Sequence, residues 1–464
     1  MNTNIRRRWS ENRDLYKYAL LIALPMIGQN MITNFVSLLD NIMVGQIGTT
    51  SMSGVSIVNQ LIFVFNLTIF GGVSGAGIFG TQFFGKGDHE GQKYTVRFRI
   101  LLVLVLTAIG FAISDIWGEQ LISFFLTEED APALTAATLQ YGLDYLAIMK
   151  WSLIPFAIGQ AYASAVRECG ETRIPMYGSL AAIGINLFLD YALIFGTFGF
   201  PKMGVQGAAI ATVIAKIVEA VVIIGWAHLH PQKNKYLIGL YRGFRIPGDL
   251  AKRIFIKGSP LLFNEFLWSF GMSVIAQLFS LRGLDVVAAR NIASTLTNMF
   301  NVIFIQFGAA IGIIIGMRLG AGKFEQAKRE AHELIIFITL FNVVLALVML
   351  PVAYLFPMVY NTEAAIRSLA AFYIVVQALA MPLCCYSNAC YFLLRSGGRT
   401  GMTFLFDFCF TWFLMIPLTF VLVKMTSVDI HIIMAVVTFT EIFKSLIGRA
   451  MIRSGIWVRN IVDA

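Results

Sequence analysis

Apolar residues fill this chain in twelve long runs, at about 16–45, 54–84, 98–118, 135–165, 174–197, 203–228, 252–281, 286–317, 331–356, 365–394, 400–424 and 428–452. Short polar breaks separate them. A helix needs roughly 20 apolar residues to cross a bilayer, so each run predicts one membrane span. The expected class is an all-α membrane protein of twelve transmembrane helices.

Composition agrees. Of 464 residues, 58% are hydrophobic and 13% charged, with mean hydropathy +0.74; soluble domains carry about 25% charge. The 39 Phe and 40 Gly suit helices packed in lipid, where Gly allows close approach. The net charge of +9 is spread over loops, which argues against a nucleic-acid partner. The polar, charged start from Met1 to Asp14 gives no cleavable signal. Cys169, Cys384, Cys385, Cys390 and Cys409 lie in or beside apolar runs without metal-ligand spacing, so they read as small buried hydrophobes and no metal site is expected.

Lys and Arg set the orientation. With the N-terminus inside, the outside segments hold only Lys202, Arg282, Arg290, Arg367 and Lys424. Lys150 and Lys216 fall within spans, and the remaining cations, Lys444 among them, are counted to inside segments. The positive-inside rule then places both termini in the cytoplasm of a multi-pass protein of the cytoplasmic membrane.

The chain also repeats itself. Pro25 matches Pro260, Gly77 matches Gly312, and Phe84-Gly-Lys-Gly87 matches Leu319-Gly-Ala-Gly322, each pair 235 residues apart. Arg167-Glu-Cys-Gly-Glu-Thr172 matches Arg395-Ser-Gly-Gly-Arg-Thr400 at an offset of 228. Six spans per copy is an even number, so the copies run parallel about a pseudo-twofold along the membrane normal. The expected division is an N-lobe over 1–229, a basic cytoplasmic linker over 230–249 and a C-lobe over 250–464.

Several polar groups lie in apolar surroundings, where a charged carboxylate costs several kcal/mol unless paired. Asp190 and Asn186, four apart in span 5, share a helix face. By helix rise, Asp40 lies roughly 8 Å, Asp190 roughly 10 Å and Thr212 roughly 14 Å from the outer ends of spans 1, 5 and 6. Their similar depth lets carboxylate, carbonyl and hydroxyl oxygens converge, the set hard cations prefer. A close carboxylate pair also makes a proton site. The plain reading is an interfacial Asp40 and a structurally paired Asp190. Glu265 follows Asn264 in span 7 and reads either as an ion or substrate ligand or as a paired polar group. Glu219 and Lys216, three apart, read as a self-neutralising pair.

Other motifs carry less. Gly75-Ala-Gly77-Ile-Phe-Gly80 spells a dinucleotide fingerprint but follows no strand, so close helix packing is expected, as for Gly308, Gly312 and Gly316. His332-Glu-Leu-Ile-Ile336 starts like a zinc-protease motif and lacks its second His. Met272, Met299, Phe300, Phe304, Phe307 and Met381 read chiefly as packing.

Pro25 with Asp40-Asn-Ile-Met-Val-Gly45, Gln82-Phe-Phe-Gly-Lys-Gly87, Arg167-Glu-Cys-Gly-Glu-Thr172, and Asn186 with Asp190 resemble the multidrug and toxic compound extrusion (MATE) transporters, nearest the DinF-like branch, over almost the whole chain. The resemblance implies twelve helices in two six-helix lobes around a cleft. It implies export of organic, often cationic compounds driven by inward H⁺ or Na⁺, with no other cofactor. In DinF-like members the positions matching Asp40, Asn186, Asp190 and Thr212 form the N-lobe cation site. NorM-like relatives carry a coupling acid at the Glu265 position and another in span 10; here span 10 has no acid and offers Gln377, Tyr386 and Asn388. The expected partners are a small organic substrate and the bilayer, with the protein a monomer and not an enzyme. A flippase for a lipid-linked precursor is the alternative; it predicts a cleft rich in Arg or Lys. An intramembrane enzyme predicts a nucleophile with its base or a metal cluster, and the sequence offers neither.

Overall fold

A computed structural model describes residues 12–126, 132–243, 245–360 and 362–463, which form helices and turns with no strand among them. The first half comprises α1 (Arg13–Gly45), α2 (Thr49–Lys86), α3 (His89–Ser123), α4 (Pro132–Met149 and Leu153–Glu168), α5 (Arg173–Phe195) and α6 (Val205–Leu229). The second half comprises α7 (Gly248–Ser280), α8 (Leu284–Gly320), α9 (Phe324–Leu355), α10 (Ala364–Ser396), α11 (Thr400–Cys409 and Ile416–Lys424) and α12 (Ile430–Phe439 and Glu441–Arg453). Each helix covers one of the expected spans. Eleven stretches are long and apolar enough to cross a membrane unbroken; α4 is the exception, because a 3-10 turn at Lys150–Ser152 divides it. Pro155 follows at once, and its ring clashes with the carbonyl four residues back, at Trp151. The tighter turn is where the helix absorbs that clash. In α11 the same problem at Pro417 meets the opposite solution, a π turn over Phe410–Met415.

Several helices outrun their apolar cores. α3 begins at His89, where the Asp88 side chain accepts from the Gly91 N–H at 2.8 Å, nine residues before its apolar run. Hydropathy reports the lipid-embedded length, whereas the helix continues for as long as its backbone finds caps and neighbours. The first three turns of α3 carry buried Arg97 and Arg99. Arg97 donates to the carbonyls of Gly239 and Leu240, each at 2.8 Å, and of Arg245 at 3.1 Å. This fork holds the linker, whose Tyr236, Leu237 and Leu240 enter an apolar cluster with Val96, Tyr162 and Ile223.

The repeat is visible in backbone geometry. Gly87 and Gly322 cap α2 and α8 with φ of 79° and 71°, and Gly170 and Gly398 cap α4 and α10 with φ of 84° and 70°. These are the left-handed caps that glycine makes at no steric cost. Each pair also closes the same hydrogen bond: Gly170 N–H to Arg167 O and Gly398 N–H to Arg395 O, both 2.9 Å. Gly85 and Gly320 are a third pair. A methyl on Gly85 would lie 2.0 Å from the Met317 carbonyl oxygen, and one on Gly320 would lie 1.9 Å from that of Gln82. Gln82 and Met317 are themselves 235 apart, so the contact is reciprocal, as a twofold relation between repeats requires.

By packing, the chain forms two compact units, one of Gly28–Gly80 with Asp88–Gly258, the other of the described residues in Met1–Ile27, Thr81–Gly87 and Ser259–Ala464. Within the first, Gly75 meets Gly258 with no room for a Cβ, and Gly80 lies against the buried Arg99–Glu168 ion pair, 2.7 Å long. The fingerprint-like glycines are therefore packing positions.

Candidate functional site

Three helices of the first unit, α1, α5 and α6, bring Asp40, Asn186, Asp190 and Thr212 into one neighbourhood. Asp190 is 1% exposed and Asn186 4%, one turn apart on the inner face of α5, with Asp40 half-buried on α1. The carboxyl groups of Asp40 and Asp190 are close enough to feel each other's charge, though no hydrogen bond joins them. Among the described residues, nothing donates a hydrogen bond to either oxygen of Asp190 or to Oδ1 of Asp40, and the Asn186 amide nitrogen has no acceptor. Two neighbouring carboxylates repel unless a proton or a cation joins them.

Two residues that sequence reasoning missed complete the surroundings. Tyr145 on α4 is buried beside both aspartates, and its hydroxyl donates to Asn59 Oδ1 on α2 at 3.2 Å. Thr212 lies near the same hydroxyl, while its own Oγ1 donates to the Ala208 carbonyl at 3.0 Å. A single Tyr in an apolar run is an ordinary packing residue, and only the fold brings it to the acids.

A second polar chain in this unit holds Lys216 and Glu219. Their ion pair measures 2.9 Å; Ser179 Oγ donates to Glu219 at 2.6 Å, Gln29 Nε2 donates to Ser179 at 2.8 Å, and Arg167 donates to Gln29 Oε1 at 3.0 Å. Glu219 is therefore neutralised locally, as its spacing predicts.

In the second unit, Glu265 accepts from the Tyr391 hydroxyl at 3.3 Å. Asn264 donates to the same hydroxyl at 3.3 Å and to Asp407 Oδ2 at 3.1 Å. Asp407 pairs with Lys444 at 2.8 Å, and Lys444 stands over the rings of Phe406 and Phe410. This corrects the charge reading: Lys444 lies within the apolar stretch Ile430–Arg453, its side chain only 13% exposed, and belongs with the span lysines. Asp407 and Lys444 lie 37 residues apart on different helices, so no local spacing signals the pair.

Among the described residues, Gln377, Tyr386 and Asn388 make no hydrogen bond to Glu265, whose partner is Tyr391. Gln377 lines a cavity of about 170 Å³ with Arg290 and Tyr373. Tyr386 lines a different one, of about 820 Å³. Asn388 packs where Gly308 leaves space, its Oδ1 only 2.4 Å from where a Cβ would be.

Comparison with known proteins is consistent with these features. The family model described as MatE matches residues 25–192 and 260–421; the two matches begin at Pro25 and Pro260, the repeat offset again. A protein of Thermotoga maritima described as probable multidrug resistance protein NorM is 24% identical over 460 residues, 97% of this chain and 94% of that one. One of the same description from Rhizobium meliloti is 26% identical over 321 residues, 68% of this chain and 66% of that one. The crystal structure of MATE in the straight conformation superposes with a TM-score of 0.84 at 17% identity, covering 95% of this chain and 96% of that one. At that identity the likeness establishes the two-lobe helical fold.

Proposed function

The chain belongs to the MatE family of multidrug transporters, and from that premise we propose that it is a proton-coupled antiporter exporting organic, cationic compounds across the cytoplasmic membrane. It is a multi-pass membrane protein and not an enzyme. The observation that carries the proposal is the proximity of half-buried Asp40 to buried Asp190, neither oxygen of which accepts a hydrogen bond among the described residues. Two neighbouring carboxyl groups in low dielectric favour a shared proton, so H⁺ rather than Na⁺ is the coupling ion in this reading. Loss of the proton leaves two charges in low dielectric, which drives α1 and α5 apart; binding of a proton draws them together. A ligand shifts two states only by its differential affinity for them, and the carboxyl pair supplies that difference. The lobes, 1–229 and 250–464 joined by 230–249, would rock to open a cleft to each side in turn, with both termini cytoplasmic and the protein working as a monomer. Glu265 sits too far into its own network of Tyr391 and Asn264 to be free for the same role.

A flippase for a lipid-linked precursor is the weaker reading. The span lysines Lys150, Lys216 and Lys444 are each paired with a carboxylate, Asp115, Glu219 and Asp407, which leaves none of them to hold a diphosphate. The relatives named above are described as multidrug resistance proteins. The test is efflux of a cationic dye from vesicles under an imposed H⁺ gradient and, separately, a Na⁺ gradient. Efflux driven by H⁺ alone supports the proposal; efflux driven by Na⁺ alone replaces the shared proton with a bound cation.

A further inference from the structure

At one end of the second unit, α9, α10 and α12 enclose the cavity of about 820 Å³ that Tyr386 lines. Its polar wall carries Lys328 and His332 from the first turns of α9 and Arg449 and Arg453 from the last turns of α12. Each pair is spaced i, i+4, so both members of a pair share a helix face. No Asp or Glu lines the cavity, and His332, Arg449 and Arg453 form no ion pair among the described residues; Lys328 alone has one, with exposed Glu325 at 2.7 Å. Most of the remaining wall is apolar, from Ile335 and Ile336 on α9 to Ile442 and Leu446 on α12, with Thr339 and Ser445 among its few hydroxyls. Ile442 and Leu446 are 42% and 56% exposed, so this wall runs out onto the bilayer-facing surface of the helix. The volume is within the roughly 300–1,000 Å³ of ordinary ligand sites.

We propose that this cavity holds the headgroup of an anionic phospholipid, its phosphate between the α9 and α12 cations and an acyl chain along Ile442 and Leu446. Charge selects the anion, since four cationic or protonatable groups face one space with no acid among them. The apolar wall selects the lipid over a free anion, because a soluble phosphate would leave that half of the cavity unused. The position fits as well: basic pockets between spans near a membrane surface are where anionic headgroups are bound. His332, which begins an incomplete metal motif in the sequence, acquires a role here as one of the headgroup donors.

The experiment uses the purified, delipidated full chain in neutral detergent, with thermal unfolding read against added phosphatidylglycerol, phosphatidylcholine or inorganic phosphate. Phosphatidylglycerol should raise the transition and the other two should not. The Arg449→Gln, Arg453→Gln double variant should lose at least half of that shift, while Lys424→Gln, at the C-terminal end of α11, keeps it whole. An equal response to phosphatidylcholine would overturn the charge argument, and a full response to phosphate alone would make the site one for a soluble anion. If the double variant does not fold, Leu446→Trp, which fills the apolar wall, takes its place. A variant of either kind that folds and responds like the unaltered protein would place the lipid elsewhere and end the proposal.

Discussion

At an offset of 228 residues, Lys216 and Lys444 stand at the same place in the last span of each half, yet they find their carboxylates differently. Lys216 pairs with Glu219 on its own helix. Position 447, the counterpart of Glu219, is Ile, and Lys444 instead takes Asp407 from α11, the counterpart of Ser179. Gln29 and Asn264, 235 apart, touch these two counterparts in turn: Gln29 bonds Ser179 and Asn264 bonds Asp407. Each half thus keeps one lysine, one acid and one bridging amide, with the acid moved from within a helix to across helices. The proposed coupling site shows the opposite pattern. Tyr145 and Thr212 recur as Tyr373 and Thr440, but Asp40 becomes Ile275 and Asp190 becomes Leu418. Ile275 is 2% exposed in an apolar cluster with Phe279 and Val437. The repeat preserved a frame in both halves and confined the unpaired acids to one.

If that contrast is right, removing an acid should matter by half. Asp190→Asn is expected to abolish gradient-driven export while leaving substrate binding, measured by equilibrium binding to the purified protein. Asp40→Asn should do nearly the same, and the double variant should be little worse than either, because residues acting as one unit are not additive. In the second half the large effect is on stability. Lys444→Ala strands Asp407 in the interior and should cost about 3–5 kcal/mol, the usual loss when one partner of a buried pair is removed. Replacing both partners, Lys444→Met with Asp407→Leu, should recover most of it. Lys216→Ala should cost less, ~1 kcal/mol, since Glu219 keeps its bond from Ser179. Thermal unfolding of the three variants checks the order, and equal losses at the two lysines would break the comparison.

Smaller effects follow at the recurring arginines. Arg167 reaches Gln29 at 3.0 Å, and Arg395 lies over the Phe392 ring at 5.5 Å. Alanine at either should lower stability by about 1–3 kcal/mol and leave the order of substrate preference, read by competition in the efflux assay, unchanged. The smallest is Tyr145→Phe, which removes the bond to Asn59 and should cost about 1 kcal/mol. It should shift the pH at which export is half-maximal without abolishing export. Unaltered pH dependence would remove Tyr145 and Asn59 from the site.

Much of this was legible in the sequence, for identifiable reasons. Apolar runs report helices because lipid leaves the backbone few other ways to satisfy itself. The constant 235-residue spacing reports the repeat, and Asp190 stands out because an acid in Leu-Phe-Leu is costly. What escaped was whatever depends on partners far along the chain. Asp407 finds Lys444 on the next span, Tyr145 reaches acids on α1 and α5, and Arg97 grips a linker that composition marks only as basic. A sequence reveals that a buried charge needs a partner, and only packing chooses which. Lys444 was misplaced for the same reason, since its last-span position looks like the start of a basic tail.

The most direct test of the asymmetry is efflux from vesicles holding the Asp190→Asn or the Glu265→Gln variant, side by side, under an imposed H⁺ gradient and then a Na⁺ gradient. The expectation is no driven efflux from Asp190→Asn under either gradient and substantial H⁺-driven efflux from Glu265→Gln. Efflux at the unaltered protein's rate from Asp190→Asn, with none from Glu265→Gln, would contradict the account and move coupling to the second half.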